Sequence, residues 1–222
     1  MQYQKKIKQY DALLELLENN APSSNQYSHY DKMITLHKSV QENITEDSIL
    51  FFGDGLTEAL CLSCFFQNGV NFGISGDTTT GLLKRLPKYN NIRISKGVSI
   101  SIGINDLNEI KSNDYSGMIN NYKKILDAIP SDKNILLDSI HPVNYKLSAY
   151  QDEIKLRISF INKYIESLCN ERKNCQYLDT NKYLADINGN LKEDYHRGDG
   201  LHLNSAGNRI WGDLINNAIK DW

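Results

Sequence analysis

The sequence predicts an α/β protein, a three-layer α/β/α sandwich around a central, mainly parallel five-stranded sheet. Three observations carry that expectation. Short β-rich apolar runs at 48–53, 70–73, 97–102 and 134–139, with a weaker one at 175–179, alternate with helical stretches. The runs are continuously apolar, as strands buried on both faces are, and a parallel sheet reached by right-handed crossovers has helices on both faces. No internal repeat, low-complexity tract or Pro/Gly-rich linker interrupts the chain, so residues 1–222 read as one domain, with 1–47 as an N-terminal helical extension packed on it.

Two helices are expected first, at 5–18 and 29–40. Leu13, Leu14, Leu16 and Leu17 form the apolar stripe of the first, and Pro22, Ser23, Ser24 and Asn25 break the chain between them. Once the strands begin, the helical stretches are 56–66, 79–86, 115–129 and 150–169. A last helix covers 205–219, with Asn204 as its N-cap. Segment 183–195 breaks the rhythm, and its Asn188-Gly189 pair is a tight-turn signal that fits a small hairpin or loop excursion.

Composition narrows the function. The chain has 222 residues, 40% hydrophobic and 23% charged, with a net charge of -2. Lysine and arginine are scattered, which argues against a nucleic-acid groove. No apolar stretch is long enough to span a bilayer, and the N-terminus opens Met-Gln-Tyr-Gln-Lys-Lys before an amphipathic run, so a cytoplasmic protein is expected. Cys61 and Cys64 lie inside an expected helix followed by Phe65 and Phe66, while Cys169 and Cys175 stand far along the chain. A structural zinc site needs two pairs at suitable spacing. The four cysteines are therefore expected as buried or half-buried free thiols, ahead of disulfide or redox roles, and no metal is expected.

In a parallel sheet, ligands bind beyond the carboxyl ends of the strands, near the switch point of strand order. The residues there are unusual. Gly53-Asp54-Gly55-Leu56-Thr57 follows the first strand, Gly73-Ile74-Ser75-Gly76-Asp77-Thr78-Thr79 the second, and Gly103-Ile104-Asn105-Asp106 the third. Asp199-Gly200-Leu201-His202-Leu203 precedes the last helix. Any one could be a turn or a cap, but four in this order are far more specific.

Together these blocks resemble those of the SGNH (GDSL) hydrolases, from about residue 48 to residue 211, and most resemble the acetylhydrolase and carbohydrate-esterase branches. The resemblance implies a flavodoxin-like sheet and a serine esterase needing no metal or organic cofactor. It implies His202 as general base, Asp199 as its partner, and an oxyanion hole formed by the Gly55 and Gly76 N–H groups and the Asn105 amide. Asp54 supports the first loop. The logic is physical: a hydroxyl needs a base within reach, the imidazole needs an orienting carboxylate, and charge on the former carbonyl oxygen needs donors fixed beforehand. The implied ligand is a small acyl ester or an acylated carbohydrate. His141, Tyr195 and Arg197 are candidate substrate contacts, with solvated or locally satisfied loop residues as the plainer reading.

The pattern departs from the family at one atom. Gly55 stands where the family carries its nucleophilic serine. Thr57, Ser63 and Ser75 are the nearest alternative hydroxyls; Ser75 is the closest, but its place in the motif is not nucleophilic. A glycine is tolerated at a strand-to-helix elbow, where backbone angles can be strained. Three readings stay open: an ester hydrolase inactivated by loss of its nucleophile, a module that binds an acylated carbohydrate or a protein without catalysis, and an O-acyltransferase.

Overall fold

The computed structural model describes residues 28–110 and 112–222. The helix expected at 5–18 lies outside them. The chain divides into two units, residues 1–36 and 37–222, and the sheet belongs to the second.

In chain order the helices and strands are α1 (His29–Gln41), β1 (Ile49–Gly53), α2 (Gly55–Glu58), β2 (Gly69–Gly73), α3 (Thr79–Arg85), β3 (Gly97–Ser101), α4 (Ile104–Glu109), α5 (Ser116–Ala128), β4 (Asn134–Asp138), α6 (Ile154–Asn170), β5 (Cys175–Leu178), α7 (Asn181–Leu184) and α8 (Ser205–Ile219). All strand pairings are parallel, and the order across the sheet is β2-β1-β3-β4-β5. That order reverses between β1 and β3, which makes their carboxyl ends the switch point. β1 aligns Gly53 with Gly73 of β2 and with Ser101 of β3, so three loops leave the sheet at one level.

Both faces are covered, as the apolar strands require. Leu50 and Phe52 of β1 join one core with Leu82 of α3, Ile125 of α5 and Ile161 of α6. Phe51, pointing the other way, joins Trp211 and Ile215 of α8 and Leu136 of β4. Asn204 caps α8 as its position predicts, its side chain accepting from the N–H groups of Ala206 and Gly207. The 183–195 excursion is a small antiparallel loop, closed by Ala185 pairing with Leu191 around Gly189 at φ 80°.

Two expectations need correction. The helix expected over 56–66 stops after α2, and a short 3-10 turn, Leu62–Cys64, follows separately. The Asn71 amide competes for the backbone, donating to the carbonyls of Thr57 at 2.8 Å and of Glu58 and Leu60 at 3.4 Å. The cysteines are not free: Cys61 bonds to Cys64 and Cys169 to Cys175. The 3-10 turn holds the first pair at a Cα separation of 5.4 Å, and the end of α6 and start of β5 hold the second at 5.2 Å. Both lie within ordinary disulfide range.

Candidate active site

The first loop starts at Asp54, which caps α2 by accepting from Leu56 N at 3.0 Å. Burial pushes its carboxyl up to about 7, with the Leu56 N–H opposing and Asp77 and Asp106 adding to the rise. Gly55 does not have a positive φ, so its backbone is one that any residue adopts. The expected elbow strain is absent here. A Cβ built on Gly55 would meet Ser75 Oγ at 3.1 Å and Ser75 Cα at 3.4 Å, so only a rotatable hydroxyl stands close.

The second loop is a tight turn from Ile74 to Asp77, closed by Asp77 N donating to Ile74 O at 3.0 Å. Gly76 at its corner has φ 78°, the left-handed region where a side chain would be strained, and so glycine is required there. The turn is tied to the first loop on two sides. Ile74 N donates to Gly53 O at 3.1 Å, and Ser75 N donates to the Glu58 carboxylate at 2.5 Å.

The third loop joins them. Asn105 Nδ2 donates to Asp77 O at 2.8 Å, which orients the amide and leaves its second hydrogen for another acceptor. Asp106 accepts from Thr79 N at 2.9 Å and from Thr79 Oγ1 at 2.5 Å, while burial raises its carboxyl. Gly55, Gly76 and Asn105 thus sit on three loops braced against one another at the switch point.

Before α8, His202 Nδ1 donates to Asp199 Oδ2 at 2.7 Å. The second carboxylate oxygen accepts from the Leu201 and His202 N–H groups, both at 2.9 Å. Burial alone would raise the Asp199 carboxyl, but these N–H groups and the imidazole outweigh it and hold it at about 2. The carboxylate fixes the ring tautomer and leaves Nε2 as the nitrogen that can take a proton. Each side chain of the pair is 46% exposed. Among the described residues no hydrogen bond ties His202 to the Gly55 loop, a link that would need a side chain at 55.

The other candidates fall elsewhere. His141 is 3% exposed, packs edge-on against Trp211 at 4.5 Å and has no hydrogen-bond partner on either ring nitrogen. Burial lowers it to about 3, so it is a neutral interior group. Arg197 Nε donates to Leu203 O at 3.0 Å and so braces the His202 loop. Tyr195 is half-buried against the α8 core, with Lys192 over its ring. Thr57 is buried and directed at Ser101 O, and Ser63 lies in the 3-10 turn. Sequence reasoning missed Arg85, which is fully buried and bonded to Asp77, and Asp138, which accepts from Trp211 Nε1 at 2.7 Å. A buried charge carries no sequence signal, because arginine and aspartate are surface residues by default.

Glycine-rich loops at the switch point of a parallel sheet, a braced amide beside backbone donors, and a carboxylate-oriented imidazole define the class as an acylhydrolase-type α/β scaffold. The family described as GDSL-like Lipase/Acylhydrolase family matches residues 51–210, and the chain belongs to that family. Among solved structures, a protein of Streptococcus pneumonia named for platelet activating factor is 25% identical, with a TM-score of 0.77 over 94% of this chain and 98% of that one. A GDSL-like lipase from Bacteroides thetaiotaomicron is 21% identical, with a TM-score of 0.72 over 84% of this chain and 97% of its own. An acetylxylan esterase from Geobacillus stearothermophilus is 20% identical, with a TM-score of 0.61 over 78% of this chain and 94% of its own. No curated protein matches the chain. Among the described residues no helix is long and apolar enough to cross a membrane.

Proposed function

We propose that this chain is the scaffold of a serine ester hydrolase that removes a small acyl group, acetyl above all, from an alcohol such as a sugar hydroxyl. It carries glycine in place of the nucleophile. In the serine form, His202 takes the proton from the hydroxyl as the hydroxyl attacks the ester carbonyl. Asp199 stabilises the imidazolium, and the Gly55 N–H, the Gly76 N–H and the Asn105 amide receive the charge on the former carbonyl oxygen. The imidazolium then gives its proton to the leaving alcohol, and water repeats the sequence on the acyl-enzyme. As the chain stands, no acyl-enzyme can form at Gly55, and turnover is at or near background.

What supports this reading is that the other groups of the motif keep an ordered geometry although position 55 has no side chain. The Asp199–His202 pair is joined at 2.7 Å, the Asn105 amide is oriented, and residue 55 has an ordinary backbone with room for a Cβ. A binding module released from catalysis would be under no pressure to keep the pair in this geometry. The choice of acetyl draws on the acetylxylan esterase among the structural neighbours, a protein also solved as a catalytic mutant. Acyl transfer to a second alcohol uses the same groups and is separated from hydrolysis by supplying an acceptor.

The test compares the chain with its Gly55→Ser variant on acetyl, butyryl and octanoyl esters. The expected outcome is a gain of roughly 10³-fold or more on the acetyl ester, from near background. If both proteins are inert on the whole panel, the esterase reading fails, and binding of acylated sugars becomes the property to measure.

A further inference from the structure

This inference rests on the esterase reading. The Gly55 and Gly76 N–H groups lie on different loops, so their separation depends on whatever joins the loops. Besides the Glu58 carboxylate, which accepts from Ser75 N, one buried side chain spans both. Arg85, at the end of α3, is 0% exposed. Its Nη2 donates at 3.1 Å to the carbonyl of Gly53, two residues before Gly55. Its Nε donates at 2.7 Å to Asp77 Oδ2, on the residue after Gly76. Its Nη1 donates at 3.0 Å to Tyr89 Oη, which is itself 2.7 Å from His37 Nδ1. The Asp77 carbonyl in turn holds the Asn105 amide at 2.8 Å.

We propose that Arg85 is the positioning residue of the oxyanion hole, a strut that sets the spacing between the Gly55 and Gly76 N–H groups and, through Asp77, the direction of the Asn105 amide. A planar guanidinium presents its donors in a rigid fork and can hold three separate acceptors at once. An ammonium group is a single point and cannot span them. The bonds also run to the right places. Gly53 O is the acceptor that Ile74 N shares, so the guanidinium locks the same junction that the second loop uses to join the first. Burial removes competing water, so the fork has no alternative partners. A buried ion pair that merely stabilised the fold would lower melting temperature and leave the chemical step alone, which is the distinction to test.

The experiment introduces Arg85→Lys into the Gly55→Ser protein and separates kcat from KM on the short-chain ester. Misplaced donors cost transition-state stabilisation, so kcat falls about 10- to 100-fold, KM stays within about 3-fold, and the pH–rate limb set by His202 does not move. A kcat within about 2-fold of the Gly55→Ser protein, whatever the melting temperature, overturns the proposal. If Arg85→Lys loses its near-ultraviolet circular dichroism, Asp77→Asn decides. It keeps an acceptor for Nε while removing the charge, and the expected loss is about 10-fold in kcat; no loss overturns the strut. In parallel, Arg85→Lys or, if it does not fold, Asp77→Asn is made in the chain as it stands, and the backbone amide NMR signals of Gly55 and Gly76 are followed. Both signals shift if the strut sets their geometry, and unchanged signals overturn it. This arm stands even if Gly55→Ser proves inert, an outcome that would count against the esterase reading alone.

Discussion

The two ends of the site are held in opposite ways. The proposed oxyanion end is built among groups that are almost wholly buried, with Thr79–Asp106 and Arg85–Gly53 contacts joining loops far apart in sequence. The proposed acid–base end is built locally. Asp199 bonds to the imidazole and two N–H groups within three residues of itself, and half of the pair faces solvent. The difference follows from the tasks. Donors for a developing charge must be fixed before the reaction, whereas a base must meet and release protons. Damage to the first end therefore registers in the fold as well as the rate, and damage to the second registers in the rate almost alone.

The largest effect that would expose this contrast comes from His202→Ala in the Gly55→Ser protein. The loss in kcat is on the order of 10³-fold or more, about what Gly55→Ser gained, with the melting temperature close to its parent. Asn105→Ala follows, at about 10²-fold in kcat with KM little changed. A loss at Asn105 equal to that at His202 would mean that the donors and the base do not act as separate units. Asp199→Asn should also reduce kcat severely while shifting stability by less than about 1 kcal/mol, because exposed pairs contribute little. A large drop in its melting temperature would break the comparison.

Buried and exposed carboxylates also respond oppositely to pH. Burial pushes Asp138 up to about 8 and Asp54 up to about 7, both above the ordinary 3.8. Between about 4 and those values the unfolded chain releases a proton that the folded chain keeps, so stability falls as pH rises through that window. Asp199, held at about 2, has the other sign: its small contribution is present above 3.8 and lost as pH falls towards 2. Above about pH 6.5, where His141 is neutral in both states, denaturant melts should show stability falling towards about pH 8, and Asp138→Asn should flatten that decline. A profile that rises over this range would contradict the assignment. The smallest effect concerns Ser75. A side chain at 55 brings its Cβ to 3.1 Å from Ser75 Oγ, so Ser75→Ala in the Gly55→Ser protein should raise stability by a few tenths of a kcal/mol at most, roughly, with kcat within about 3-fold. A collapse of activity would show that Ser75 takes part in the chemistry.

Much of this was legible in the residues. The apolar runs located all five strands, Asn204 located the start of α8, and the glycine-rich loops marked the switch point because glycine and small polar residues cluster where a backbone turns sharply at a strand end. What escaped has one physical origin. Arg85, Asp138 and His141 derive their character from burial, which depends on partners distant in sequence, such as Gly53 for Arg85 and Trp211 for Asp138. Arg85 reads as the last charged residue of an amphipathic helix until Asp77 is found beside it. The helix expected over 56–66 failed likewise, because the competing amide belongs to Asn71 on the next strand.

The two disulfides bear on where such a molecule is made. Thiol pairs like Cys61–Cys64 and Cys169–Cys175 stay reduced in a compartment buffered by glutathione and become bonds where oxidants prevail. A chain that carries both bonds in its working state fits maturation where oxidants prevail, and one that keeps four thiols fits the cytoplasmic expectation. A free-thiol count on unreduced protein taken directly from its native source reads that history, with no reactive thiol expected from a chain matured there and four from one held in a reducing cytosol.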